Sequence, residues 1–184
     1  MHGRRAVASG VIATMGLTAL LLTGCGEATP SADGEDSVQE VAVTGEAGAA
    51  TFTDGVYTSP LTRMEIRASR VIRPGEEGNE YGESAVLAVW YDTTNISGQM
   101  TDPLTAWLTH FRVSQDAGNG LHTELTLAMA PDARLMATQT QSIEAGATAG
   151  GAVAYRLHDE SATVRITALD TALNEIGSQD LPLQ

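Results

Sequence analysis

Lysine is absent from this sequence: all ten positive charges are arginine. That excludes a Walker A lysine, a Schiff-base lysine and a Ser-x-x-Lys acylation pair. Cysteine occurs once, at Cys25, so an exported domain of this size has no intrachain disulfide available and must hold by its core. Positive charge of any kind is scarce. Twenty-three acids give a net charge of −13, and removal of residues 1–24 would leave −15. Such a polyanion is repelled by phosphate backbones and by anionic headgroups, which excludes nucleic acid as a partner. Neither a Gly-x-Ser-x-Gly elbow nor a His-Glu-x-x-His helix occurs. The long apolar stretch, Ala6 to Leu22, is interrupted by Ser9, Gly10, Thr14, Gly16 and Thr18, which makes it a poor permanent membrane helix.

What is present begins with Leu22-Thr23-Gly24-Cys25. Arg4 and Arg5 supply a positive n-region ahead of the apolar run, so residues 1–24 read as a signal peptide. The four residues look like a bacterial lipobox, in which Cys25 is lipidated and the chain is cut before it. Two or more acyl chains anchor a protein stably, so Cys25 suffices as the sole attachment to a cell membrane, on its extracytoplasmic face. Lipidation consumes the one thiol and removes a cysteine nucleophile.

Residues 25–51 read as a disordered acidic linker. Gly, Ala, Ser and Thr dominate, with Glu27, Asp33, Glu35, Asp36, Glu40 and Glu46 repelling one another. Residues 52–184 then read as one domain with period-two alternation. Met64, Ile66 and Ala68 alternate with Glu65, Arg67 and Ser69, and Ala85 to Tyr91 is apolar on both faces. Asp102 and Pro103 are a cap and first-turn pair, predicting a short helix with Leu104, Trp107 and Leu108 on one face. A hairpin follows, centred near Gly118, which would set Arg112 opposite Glu124 and Phe111 opposite Leu125. Leu135 and Met136 are expected to touch the core from a loop. Strands near Ala152–Leu157, Val164–Ala168 and Ile176–Leu181 complete the set. The pattern predicts a mainly β, immunoglobulin-like β-sandwich of about seven strands with one short helix.

Several phrases line up in order: Trp90-Tyr91-Asp92-Thr93-Thr94-Asn95, Ala106-Trp107, Phe111 to Asp116, Glu144-Ala145-Gly146, Ala154-Tyr155-Arg156-Leu157 and Glu175-Ile176-Gly177. Together they resemble the domain-of-unknown-function family 5067 of Gram-positive lipoproteins, over roughly residues 60–180. The chain is also similar to the broader telokin-like, immunoglobulin-fold group of lipoprotein domains. The resemblance implies an immunoglobulin-like fold on a cell-surface lipoprotein. It implies no reaction, no cofactor and no ligand, and carries over no functional residue.

Candidate chemistry is thin. His110, His122 and His158 are expected as solvated surface histidines, with His110 and His122 too far apart in the hairpin to share an ion. Met64, Met100, Met129 and Met136 are scattered, as packing residues are. Glu76, Glu77, Glu80 and Glu83 crowd one loop without the spaced frame of a calcium site. No catalytic, cofactor or metal residue is assigned. The reading is a membrane-anchored, non-catalytic module binding a protein, peptide or glycan. Loops 74–84 and 95–109, expected at one sandwich end, would form its recognition surface. The competing reading is a solute- or metal-binding lipoprotein that delivers a small ligand at the envelope.

Overall fold

The structure, a computed structural model, describes residues 49–118, 120–181 and 183. The signal peptide, Cys25 and nearly all of the acidic linker lie outside the described residues. Nine strands and one helix follow in chain order: β1 (Thr51–Thr53), β2 (Val56–Thr58), β3 (Thr62–Ile72), β4 (Val86–Asn95), α1 (Pro103–His110), β5 (Phe111–Asp116), β6 (His122–Glu124), β7 (Thr148–Arg156), β8 (Val164–Leu169) and β9 (Glu175–Leu181). Seven of the strands are the predicted ones. The additional pair is the short hairpin β1–β2, and β1 starts at Thr51, inside the expected linker. Its strands are only three residues long, too short for an alternation to register.

The strands form two antiparallel sheets, β1-β2-β3-β4-β7 and β6-β5-β8-β9. The division of β3, β4 and β7 from β5, β8 and β9 reproduces the A-B-E and C-F-G halves of an immunoglobulin-like sandwich. The open side next to β7 is closed by the chain itself. Leu125 N–H still donates to Val113 O in the second sheet, whereas Arg156 N–H donates to Thr126 O and Ala128 N–H to Ala154 O in the first. One stretch therefore crosses from sheet to sheet and covers an edge of each, which blunts edge-to-edge pairing. On the other side, β1 packs against β9.

Strand β4 is buried on both faces, as its apolar run predicts. Leu87, Val89 and Tyr91 enter the core between the sheets with Trp107, Phe111, Val113 and Ile166. Val86 and Ala88 point the other way, into a smaller cluster with Ile72, Ala154, Ala128 and part of Trp90. In β3 the predicted alternation holds only to Ile66. A register shift between Ile66 and Ala68 swaps the faces, so Ala68 is exposed and Ile72 is buried in the outer cluster.

Helix α1 is capped as the sequence indicates, with Asp102 Oδ1 accepting from Thr105 N–H at 2.8 Å. It extends two residues beyond Leu108, and its buried face is Pro103, Ala106, Trp107 and His110. Leu108, expected on that face, is exposed. The helix continues directly into β5, so the phase is set by where Trp107 and Phe111 enter the core.

In the β5–β6 hairpin Ser114 pairs with Glu124, Gln115 with Thr123 and Asp116 with His122. That is two residues out of the predicted register, because the turn lies one residue later in the chain, closed by Ala117 N–H donating to Leu121 O at 2.8 Å. Arg112 and Glu124 still meet, now diagonally, at 3.9 Å.

Candidate interaction surface

The predicted recognition loops do not share an end of the sandwich. Ile72 pairs with Val86 at one end of the β3–β4 ladder, and Thr62 with Asn95 at the other. The 73–85 loop leaves from the first end and the 95–102 segment from the second, so they are separated by the length of β4. Consecutive antiparallel connections alternate ends, and that parity overturns the sequence expectation.

The 73–85 loop is braced from within. Asn79, buried, spans its base: Nδ2 donates to Ile72 O at 3.1 Å and to Ser84 O at 3.0 Å. Gly75 N–H and Gly82 N–H both donate to Asn79 O. Glu76 Oε2 accepts from Arg73 N–H at 2.9 Å, and Arg73 Nε reaches Glu160 at 3.2 Å on the β7–β8 connection. Gly78, at φ +91°, lies so close to the 128–134 segment that a Cβ would sit 2.5 Å from Pro131 O.

That second segment runs over the outer face of β4. Trp90 Nε1–H donates to Asp132 Oδ2 at 3.3 Å. Asp132 also takes the Arg134 fork, Nε to Oδ1 at 3.0 Å and Nη2 to Oδ2 at 2.8 Å, and the Arg134 amide at 3.0 Å. The Arg70 guanidinium lies 5.6 Å from the Trp90 ring centre. The Arg134 guanidinium holds the Asp132 carboxyl down at about 2.

Between loop and segment lie two connected clefts. One, of about 480 Å³, is floored by Val86, Ala128 and Gly82. The other, of about 540 Å³, runs along Trp90, Asp132 and Arg134. Tyr81 and Met129 line both and Met136 the second. These three side chains are 86%, 70% and 55% exposed. Met136, expected against the core, is thus at the surface. Large apolar groups grouped in this way mark an interaction site more often than isolated ones do.

The four loop carboxylates are spread around this surface. Glu77, Glu80 and Glu83 line the clefts, and Glu76 faces the loop backbone. Among the described residues, no group of three or more His, Cys, Asp or Glu is placed to hold an ion. Met64 is in the core, and Met100 is exposed.

The histidines divide. His122 and His158 are exposed, but His110 is buried, contrary to the surface expectation. Its ring stacks on Tyr57 with centres 4.7 Å apart. Nδ1 lies 3.0 Å from Tyr57 Oη and 3.2 Å from Leu169 O. A carbonyl can only accept, so the proton sits on Nδ1. Burial lowers the His110 pKa and keeps the ring neutral. The missed signal was helical: Pro103, Ala106, Trp107 and His110 follow the i, i+3, i+4, i+7 spacing of one face.

Acid should therefore destabilise the domain in two steps. The His110 pKa is depressed on folding, so the unfolded chain takes the proton first and stability falls as pH drops below about 6.5. The Asp132 contribution, about 1–2 kcal/mol, is present above pH 4 and is lost as pH falls toward 2. Thermal melts across this range should show both limbs, and Asp132→Asn should shrink the lower one, to which Asp159, Asp170 and Asp180, also held below the usual carboxylate range, contribute.

A family model for a domain of unknown function, DUF5067, matches residues 37–170. The chain belongs to the DUF5067 family. No curated protein matches the sequence. Among solved structures, the DUF5067 fold is similar to a chain provisionally described as a lipoprotein from Staphylococcus aureus subsp. aureus NCTC 8325. The TM-score is 0.63 at 12% identity, covering 72% of this chain and 91% of that one. At that identity the likeness shows the fold. Among the described residues, no helix of this DUF5067 member is long and apolar enough to cross a membrane.

Proposed function

We propose that this DUF5067 protein is a lipid-anchored, extracytoplasmic interaction module without catalytic activity. Its recognition surface is the pair of clefts between the 73–85 loop and the 128–136 segment. The observation that carries the reading is the joint exposure of Tyr81, on a loop locked by Asn79, and of Met129 and Met136 on the segment facing it. A preorganised apolar surface loses little entropy on binding. The anchor is supported by Leu22-Thr23-Gly24-Cys25, and by the description of the Staphylococcus aureus chain as a lipoprotein.

The anchor and the surface are tested separately. Cys25→Ala should move the protein from the membrane fraction to the soluble extracytoplasmic fraction, or leave an unprocessed precursor. A variant that is still cleaved before residue 25 and still sediments with membranes would refute lipid anchoring. For the surface, a photo-crosslinking amino acid replaces Tyr81 in intact cells. A second variant carries it at Leu173, which is exposed in the β8–β9 turn at the other end of the sandwich. A discrete adduct from position 81 and none from 173 is the expected result. Adducts from neither, or equally from both, would remove the surface from the proposal.

A further inference from the structure

We infer that the partner taken by this surface is a cationic polypeptide segment that seats an apolar side chain against Tyr81 and Met129. The inference rests on the interaction reading above and adds the partner's chemistry. It comes from the charges that remain uncompensated around the clefts.

Of the arginines lining them, Arg134 is spent on Asp132 in a two-pronged ion pair. Arg70 lies over the face of Trp90 and reaches toward Glu77 O at 3.5 Å. Nearby, Arg73 is paired with Glu160. Glu77, Glu80 and Glu83 have no arginine within ion-pair distance among the described residues; Arg70 and Arg156 also lack a carboxylate partner there, so the clefts are lined by four acids against three arginines. The backbone N–H groups of Glu80 itself and of Gly78 lower the Glu80 pKa and so favour its charged form.

The rest of the domain adds to this field. From residue 49 onward the sequence carries 17 acids against eight arginines. An anionic partner is repelled at long range, and so is a second copy of this chain. A basic segment is attracted. Its apolar residue would cover Tyr81 and Met129, while its cations meet Glu77, Glu80 and Glu83. The lining beneath includes Gly82, Ala128 and Ala130, small residues that leave room for a side chain.

The test uses the full-length protein in neutral detergent micelles and three capped hexapeptides. They are Lys-Lys-Leu-Phe-Lys-Lys, its tetraglutamate counterpart Glu-Glu-Leu-Phe-Glu-Glu, and Lys-Lys-Ser-Ser-Lys-Lys, which lacks the apolar anchor. The first should bind at least about tenfold more tightly than the other two at low salt, and weaken as salt rises. Tyr81→Ser with Met129→Ser should cost about fivefold or more in affinity, since both side chains are exposed and the core is untouched. Glu77→Gln with Glu80→Gln and Glu83→Gln should flatten the salt dependence.

Equal or tighter binding of the acidic peptide overturns the inference. So does binding indifferent to the Tyr81 and Met129 changes, or no binding of the first peptide. An adduct from position 81 combined with any of those results leaves the interaction surface standing and removes the cationic partner. Loss of the adduct removes the surface itself.

Discussion

Trp107→Ala should lower the melting temperature by roughly 10–20 °C. Trp107 has no solvent exposure and sits at the centre of the larger core cluster. Its ring centre is 4.5 Å from that of Tyr91 and 4.4 Å from that of Phe111. It therefore ties β4 to the start of β5 across the two sheets. Truncating a buried tryptophan costs about 3–5 kcal/mol in lost transfer energy and residual cavity. A second loss follows. Trp107 Nε1–H donates to Tyr155 Oη at 2.8 Å, in surroundings that push the Tyr155 pKa up to about 12. Without the indole, that buried hydroxyl loses its donor, at about 1 kcal/mol. A domain of this size holds only about 5–15 kcal/mol in all, with no disulfide in reserve. Trp107→Phe separates the two components, since it keeps most of the volume and loses the hydrogen bond. Circular dichroism melts of the three proteins decide the matter. A Trp107→Ala shift under about 3 °C would mean that α1 is not part of the cooperative core.

Gly78→Ala should dislodge the recognition surface while leaving the sandwich folded. Two costs coincide at this residue. Its φ of +91° lies outside the region an L side chain adopts readily. An added Cβ would also meet Pro131 O at 2.5 Å and Ile72 Cδ1 at 3.1 Å. The first contact is with backbone, which cannot rotate away. The loop cannot retreat either, because Asn79, the next residue, is bonded to both Ile72 and Ser84. We expect a local loss of about 2–3 kcal/mol, with the 128–134 segment displaced from the loop. Trp90 reports on this through its bond to Asp132, so its fluorescence should shift. Faster exchange of the Gly75 and Gly82 amides, which bond to Asn79 O, is the second readout. Gly75→Ala is the control: φ is +84°, but a Cβ there meets nothing within 4 Å. It should carry the conformational cost alone, about 1 kcal/mol. Equal behaviour of the two variants would show that contact with Pro131 does not hold the surface together.

The candidate surface was only half legible. The 74–84 loop is conspicuous in sequence for its acids and its Pro74-Gly75 break. Its partner segment was not, because 128–136 has no period and its apolar residues read as core. Tyr81, Met129 and Met136 are separated by up to 55 positions in the chain. They meet because residues 125–128 leave one sheet for the other and carry the following segment over β4. The apolar outer face of β4 gave the available hint, since Val86, Ala88 and Trp90 require cover.

Local physics settled much of the rest. Period-two alternation and the continuous apolar run of Ala85 to Tyr91 marked seven strands, the Asp102-Pro103 pair started the helix, and the single cysteine ruled out an intrachain disulfide. These are properties of a residue and its near neighbours, so the sequence alone determines them. Tertiary structure decided three other things: the burial of His110 between Tyr57 and Leu169, the register of the β5–β6 hairpin, and the opposite placement of the 73–85 and 95–102 loops. The first and third depend on contacts between residues far apart in the chain, and the second on how the turn closes between Ala117 and Leu121. A polar side chain such as His110 enters a core only when distant groups satisfy it, and no local pattern encodes where those groups will be.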